Sequence, residues 1–514
     1  MNRRGKRQWS SVCSLVSLSI LGLWIPQRAS GQEAACTVDG VQFDYGETTQ
    51  INGTETLLLI NARLCQEGTL LLADRMRQET DSIYFFTGNV RIIEERDTIY
   101  ADVVRYDEKT KIGLASGNVL MSDGAVRLRS VSTRYYSEEK RSEFDSGVEY
   151  TDSLTVLKSD TGTYWSDEAV AEFSGHVELR QLDLYLEADS IHYGRETEIM
   201  QATGNVVVER LKEVADSLDI DPEEWLDSSR NIIGFSSSED RSLLFSDRAF
   251  YDGTVDSSRV SGDVFLLRLQ ADSTATDTLM VEAGTMIITR DLSGDRVIAI
   301  DSVSVVESGF SLVGDSLVYV RTNDGITEHM NSRMYGGPKA WVSDSQVTSD
   351  SLQIWGSHGA VDSLRATGTV FVASMDSALA RIQQVKGRMM VAYFAQDSLR
   401  TMVVNPNAEA LYYIEPNPGD SVVAVRTSAD WIELSFEHGD VTDVRVVKGI
   451  EGTLYPEDLV DQVENLSGYI WEPERRPDRN RKQQELNRRI GLQAARPGTN
   501  AQFPGGNRVI GEND

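Results

Sequence analysis

The sequence is poor in the residues that usually carry chemistry. It has three cysteines and five histidines in 514 residues. The histidines (His176, His192, His329, His358, His438) are scattered and show no metal-ligand spacing. There is no Gly-x-Ser-x-Gly elbow, no phosphate loop and no His-Glu-x-x-His. No catalytic residue, metal or cofactor is therefore assigned. Basic residues are also in deficit, with 50 Lys+Arg against 80 Asp+Glu and a formal charge of −30. That balance excludes nucleic acid as a partner and argues against simple adhesion to anionic membranes. Helical periodicity is nearly absent.

The one apolar run lies at the start. Arg3, Arg4, Lys6 and Arg7 precede an apolar stretch from Val12 to Trp24, and Ala29-Ser30-Gly31 follows as a small-residue cleavage site. The run is shorter than the roughly 20 residues a membrane-spanning helix needs, so a cleaved secretory signal (1–31) is favoured over an anchor. Removing it takes away five Lys/Arg and no acid, leaving −30 − 5 = −35. Cys13 leaves with the signal. Cys36 and Cys65 then form a candidate disulfide in an oxidising compartment, worth about 3–4 kcal/mol in the chain-entropy model; two unpaired buried thiols are the alternative.

What the sequence does have is a repeat. A small-Gly-x-Val unit recurs at Thr87-Gly88-Asn89-Val90, Ser116-Gly117-Asn118-Val119, Ser146-Gly147-Val148, Ser174-Gly175-His176-Val177 and Thr203-Gly204-Asn205-Val206. Further copies are Ser261-Gly262-Asp263-Val264 and Thr367-Gly368-Thr369-Val370. The first five glycines are 29, 30, 28 and 29 residues apart. Tyr106, Tyr135, Tyr164 and Tyr193 recur every 29 residues, and Tyr251 follows 58 later. Near them stand Ala101-Asp102, Ser159-Asp160, Ala188-Asp189, Ser246-Asp247, Gly314-Asp315 and Ser349-Asp350. Two registers in phase define a repeat architecture.

Each unit reads as two strands. Apolar residues alternate after each glycine: Val90/Ile92, Val119/Met121, Val177/Leu179, Val206/Val208, Val264/Leu266 and Val370/Val372. Period two buries one face, and the glycine marks a bulge or bend. Asp123-Gly124 and Glu139-Lys140 are turn signals. The recurring aspartates read as turn-forming or strand-start residues. The stretch 211–240 is an acidic insertion with a short helical tendency. Its Asp219, Asp221 and Glu223 do not make a calcium loop, because Glu224 and Arg230 stand where such a loop needs Gly and Glu. Beyond Pro456 alternation stops, and 457–514 reads as a disordered tail.

The alternation of Ala-Asp-x-x-x-Tyr with Thr/Ser-Gly-Asn-Val, clearest in Ala101–Val119 and Ala188–Val206, resembles the repeat of the OstA/LptA family. The later segments Val385-Lys386-Gly387-Arg388-Met389, Ala392-Tyr393-Phe394, Asn405-Pro406-Asn407-Ala408-Glu409-Ala410, Tyr412-Tyr413 and Gly452-Thr453-Leu454-Tyr455-Pro456 are similar to larger OstA-like proteins. The resemblance spans roughly Leu58 to Asp458, as blocks 32–210 and 241–456. It implies an all-β open jellyroll, a half-pipe of stacked antiparallel strands, in the periplasm and associated with the outer membrane. It further implies binding of lipopolysaccharide or a similar amphiphile, contacts with other lipopolysaccharide-transport components, and end-to-end stacking of copies. The family's outer-membrane assembly protein adds a long barrel; after Pro456 this sequence has no ten-residue alternating strands of that kind.

On this reading the twelve alternating residues above are the candidate lining of a lipid groove. The residues alone favour a closed core; it is the resemblance that favours a groove. Two other functions stay open: a structural or adhesive β-solenoid without lipid, and a carbohydrate-active β-helix enzyme using paired carboxylates. The recurrence of the aspartates speaks against the last, because a catalytic residue is usually unique.

Overall fold

In a computed structural model, residues 40–494 are described apart from 52–53, 154, 182–183, 212–240, 272–275, 292–293, 308, 324–326, 358–359, 396–397, 416–420 and 438–439. The acidic insertion and the signal therefore lie outside the described residues. Of the described residues 74% are in strands and 5% in helix, and their 32 strands form one antiparallel sheet. The fold is all-β, as the repeat implies. Among the described residues strands run from Gly40, ahead of the expected start near Leu58, to Tyr455.

The sheet is a meander. Ile83–Glu94, Asp97–Asp107, Ile112–Ser122 and Arg127–Tyr136 each pair with the strand before and after. Two such strands and their turns make one repeat. Each glycine of the repeat breaks the ladder. Ser116 opposes Ser132 and Val119 opposes Ser130, so Gly117 and Asn118 together face one residue of the next strand. Equivalent shifts occur at Thr87/Val90, Ser174/Val177, Thr203/Val206, Ser261/Val264 and Thr367/Val370. At Gly147 the strand is interrupted between Arg141–Phe144 and Val148–Thr151.

Of the recurring aspartates, Asp160 and Asp350 stand at bends immediately before a strand, as expected, but Asp102, Asp189, Asp247 and Asp315 lie inside strands. Asp102 lies in mid-strand within Asp97–Asp107, and its carboxylate caps the bulge of the following strand. Both bulge residues are left-handed, Gly117 at φ +76° and Asn118 at φ +45°. Asn is the side chain that best tolerates that region, and Asn118 Nδ2 donates to Asp102 Oδ2 at 2.7 Å. Asn89 with Asp74 and Asn205 with Asp189 repeat the contact at 3.0 and 2.8 Å. His176 Nδ1 takes the same place against Asp160 at 2.6 Å. The repeat motif is thus a clamp across neighbouring strands.

The clamp leaves no room for a side chain at the glycine. A Cβ on Gly117 would lie 2.6 Å from Asp102 Oδ2, whereas one on the turn residue Gly124 (φ +88°) would meet nothing within 4 Å. Gly117→Ala should therefore cost about 1–3 kcal/mol more than Gly124→Ala, which carries only the backbone strain. Urea unfolding of both variants measures the difference; equal losses would mean that the carboxylate moves aside freely.

The bulges and strand breaks align down the sheet and divide its long strands into two halves. The halves form two wings that face each other. Met121 Sδ on one wing accepts a hydrogen bond from Ser142 Oγ on the other at 3.0 Å, and Tyr150 packs edge-on against Tyr193 across the interior at 6.2 Å. The alternating apolar residues point between the wings and make two clusters, one from Leu59 to Val206 and one from Leu244 to Leu434. Val208 and Ala249 pack against both, so the interior is continuous. The wings lengthen along the chain. Asp97–Asp107 has 11 residues, whereas Thr276–Asp291 has 16 and Ala360–Asp376 has 17.

The tail differs from its expected disorder as far as Ala494. Helix α1 (Glu457–Val460), a 3₁₀ turn (Pro473–Arg475) and helix α2 (Arg479–Ala494) run back along the outside of the sheet. Val460 and Leu466 cover Phe371, Leu411 and Tyr413. Leu486 and Ile490 cover Val207, Phe245, Phe265 and Met280. Outer-face apolar residues of the second block are thus buried by the chain's own C-terminal segment.

Candidate functional site

The interior between the wings is the feature able to do something. Val90, Ile92, Val119, Met121, Val177, Leu179 and Val206 all lie in the first cluster, and Val119, Val177 and Val206 are each 1% exposed. Val264, Val370 and Val372 are buried in the second cluster, while Val208 and Leu266 are half-buried against it. All twelve candidates thus line one apolar interior. In the first block that interior is packed on itself.

Three of the periodic tyrosines, Tyr106, Tyr135 and Tyr164, close the free margin of the first block. They stand near the turns of one wing, and their hydroxyls reach the turns of the other. Tyr106 Oη donates to Gln66 Oε1 at 3.3 Å, Tyr135 Oη to Glu94 Oε2 at 2.6 Å and Tyr164 Oη to Asp123 Oδ2 at 2.7 Å. Cations reinforce the same rungs: Lys111 lies 3.1 Å from Glu67, Lys140 2.5 Å from Glu94 and Arg195 3.4 Å from Asp123. Ser166 donates to Asp97. Burial pushes the Tyr135 and Tyr164 hydroxyls up, and the adjacent carboxylates add to it, so both remain protonated donors. Burying such groups is costly unless they are paired, and here they are paired with each other. The sequence reading found the tyrosine period but not its role. The available signal was a second spacing, since Glu94 and Asp123 each precede their tyrosine by 41 residues; Asp152 stands 41 before Tyr193 but accepts from Tyr150, at 3.1 Å.

Two carboxylates in this ladder titrate in opposite directions. Desolvation pushes Asp123 up, but hydrogen bonds from Tyr164, Ala125 and Val126 and the charge of Arg195 outweigh it and hold the group below its usual 3.8. Desolvation dominates at Asp97, which is raised; the negative charge of Asp123 adds to this, and Ser166 and Lys140 oppose it. A lowered folded-state value gives stability above the unfolded value that is lost as pH falls through the folded one. A raised value gives stability at low pH that is lost as pH rises through the folded one. The deficit of Asp123→Asn against the parent should therefore shrink on acidification from pH 7 to 3, while Asp97→Asn should lose ground over the same range. Urea midpoints at both pH values read this, and slopes of the same sign would contradict the assignment.

In the second block charged residues (Arg268 and Glu307 on one wing, Arg290, Asp295 and Arg321 on the other) share the inward face near the strand ends with half-buried apolar residues. On one wing the latter are Leu266, Leu279 and Phe310, and on the other Ile288, Phe394 and Phe436. Tyr251, the last repeat tyrosine, stays within its own turn, 3.5 Å from Asp256 Oδ1. Arg210 stands 41 residues before it, where the earlier tyrosines have an acceptor.

Cys65 is buried and disulfide-bonded. Its candidate partner Cys36 lies outside the described residues. Among the described residues no group of three His, Cys, Asp or Glu side chains is placed to hold a metal, and no helix is long and apolar enough to cross a membrane.

Fold and interior together define a folded antiparallel sheet enclosing an apolar seam. Residues 42–189 match the family model described as OstA-like protein, and this part of the chain is an OstA-like domain. The OstA/LptA resemblance read from the repeats holds there; the block beyond Arg241 lies outside the match. No curated protein matches the chain.

Proposed function

We propose that the protein is an exported, non-enzymatic lipid scaffold that shelters the acyl chains of lipopolysaccharide, or a similar amphiphile, between its wings on the way to the outer membrane. The observation that carries this is the continuous apolar interior, in a chain whose first block is OstA-like. Each methylene moved from water into such an interior gains about 0.8 kcal/mol. The 1–31 segment and the disulfide-bonded Cys65 support a periplasmic location.

The edges support end-to-end assembly. The first strands leave Val41, Phe43 (51% exposed) and Tyr45 open, and the last leave Val441, Ile450 and Leu454 (61% exposed) open. Unpaired edges with apolar side chains are templates for strand addition. Further copies or other lipopolysaccharide-transport components would fit there.

The tight packing of the first block favours a second reading, a structural β-solenoid without ligand. Organic extraction of protein purified from the cell envelope separates the two. Lipid A-type acyl chains should co-purify and be seen by mass spectrometry. Folded protein that carries no lipid, and takes up none from lipopolysaccharide micelles, would leave the structural reading.

A further inference from the structure

The two wings of the second block differ on their outer faces. On one wing the outward apolar side chains are covered by the chain's own C-terminal segment. On the other they stay open: Phe250, Tyr335 and Tyr393 are 37, 42 and 51% exposed. This open face crosses nine strands, from Arg241–Asp252 to Arg381–Ala395, in three rows of outward side chains. Arg248, Arg259, Arg296, Arg333 and Arg365 stand on it, all exposed. The three rows hold no Lys or Glu and one Asp, Asp252 at the corner, where the average of the chain would place about four acids. No ion pair joins any of the five arginines to a described carboxylate. Arg365 lies over the Trp355 ring at 5.4 Å, and Arg333 Nε donates to the Gln353 amide oxygen at 2.9 Å, which fixes its guanidinium. In a chain of formal charge −30 the sign is reversed here.

We infer that this outer face binds a linear acidic polysaccharide laid across the strands. The site lies outside the sheet and is independent of what the interior holds. Guanidinium groups without a carboxylate of their own suit the carboxylates or phosphates of such a chain. The Trp355 and Tyr393 rings, with the small Ser363 between them on the intervening strand, offer apolar faces on which sugar rings can lie. Shape selects the same occupant. Strands are spaced roughly 4.8 Å apart, so the face measures roughly 40 Å by 15 Å, long and narrow. Adjacent strands turn relative to one another by roughly 20°, so the face winds around the molecule. A planar membrane or a rigid protein meets only a few strands of it, whereas a flexible chain follows it throughout. A second copy is disfavoured, because its matching face is cationic too.

Fluorescence anisotropy with the full-length protein tests this. The probes are labelled oligogalacturonate, neutral dextran and polyglutamate, with phosphatidylglycerol vesicles in a sedimentation arm. Oligogalacturonate should bind and weaken as salt rises, and dextran should not bind. Arg296→Ser, Arg333→Ser and Arg365→Ser together should weaken binding roughly ten-fold. Tyr393→Ala should weaken it about three-fold. Arg127→Ser, at an exposed arginine of the first block, should change nothing. Circular dichroism shows that each variant is folded. A parent that does not bind oligogalacturonate, or a triple variant that binds it equally well, overturns the site. Polyglutamate bound as tightly as oligogalacturonate would make the face a dock for an acidic protein, and vesicle binding without oligogalacturonate binding would make it a lipid contact; either result overturns the polysaccharide.

Discussion

Asp at position 177 should unfold the first block. Val177 is 1% exposed and sits among the facing wings. The buried side chains that pack with it are apolar, so the new carboxyl would enter an apolar interior. Losing the valine costs roughly 1.5–3 kcal/mol of burial, and burying the unpaired polar group adds several kcal/mol more. The sum approaches the ~5–15 kcal/mol that holds a typical domain together. Val131→Asp is the control. It lies on the opposite face, 39% exposed, and should change stability by no more than about 0.5 kcal/mol. Leu266→Asp should fall between the two, because the half-buried margin of the second block lets a carboxylate reach water. Urea unfolding followed by circular dichroism gives all three. A stable Val177→Asp beside an unstable Val131→Asp would mean that the inner and outer faces had been exchanged.

How much of this could be read from the residues depends on how local the cause is. The bulges were legible because Gly117 and its equivalents meet a local demand: a left-handed backbone under a carboxylate leaves no room for a side chain. The inward stripe was legible because period two survives at Val119/Met121 and Val177/Leu179. Asp102, Asp189, Asp247 and Asp315 were seen but misplaced, since capping a bulge on the next strand leaves no mark at the aspartate itself. Spacing carries that information, with Asp102 and Gly117, Asp189 and Gly204, and Asp247 and Gly262 each 15 apart. The spacing stretches to 21 for Asp315 and Gly336 and to 18 for Asp350 and Gly368, as the wings lengthen. The tyrosine ladder was hidden because its acceptors vary between Gln66, Glu94 and Asp123 and sit on the opposite wing. Whether the interior is sealed or parted depends on those contacts, so a closed core and a groove could not be told apart from the stripe.

The C-terminal segment was hidden for a different reason, and it gives the second large effect. Helix α2 has too few apolar residues for a periodic stripe, and an isolated helix of this length is marginal in water. Its order comes from docking. Leu486 is 1% exposed against Phe245 and Phe265, Lys482 lies 2.5 Å from Glu282, and Arg489 lies 2.6 Å from Asp263 and over the Phe265 ring. Residues 475–494 carry seven Lys/Arg and two acids, opposite in sign to the body they cover. The ion pairs are partly open to water and are screened, so Leu486 should dominate. Leu486→Asp should remove about 3–4 kcal/mol of docking. The loss falls on the helix rather than on the sheet, because the ladder of the sheet does not run through it. Trypsin should then cut at Arg479, Arg481 or Arg488 some hundred- to thousand-fold faster, as expected where cleavage follows the open population. Asn487→Asp, one residue along and exposed, should leave the rate unchanged. The urea midpoint of the sheet should move little; if it falls together with tail protection, the strap and the second block are one cooperative unit, and the tail is then part of what holds the wings of that block in place.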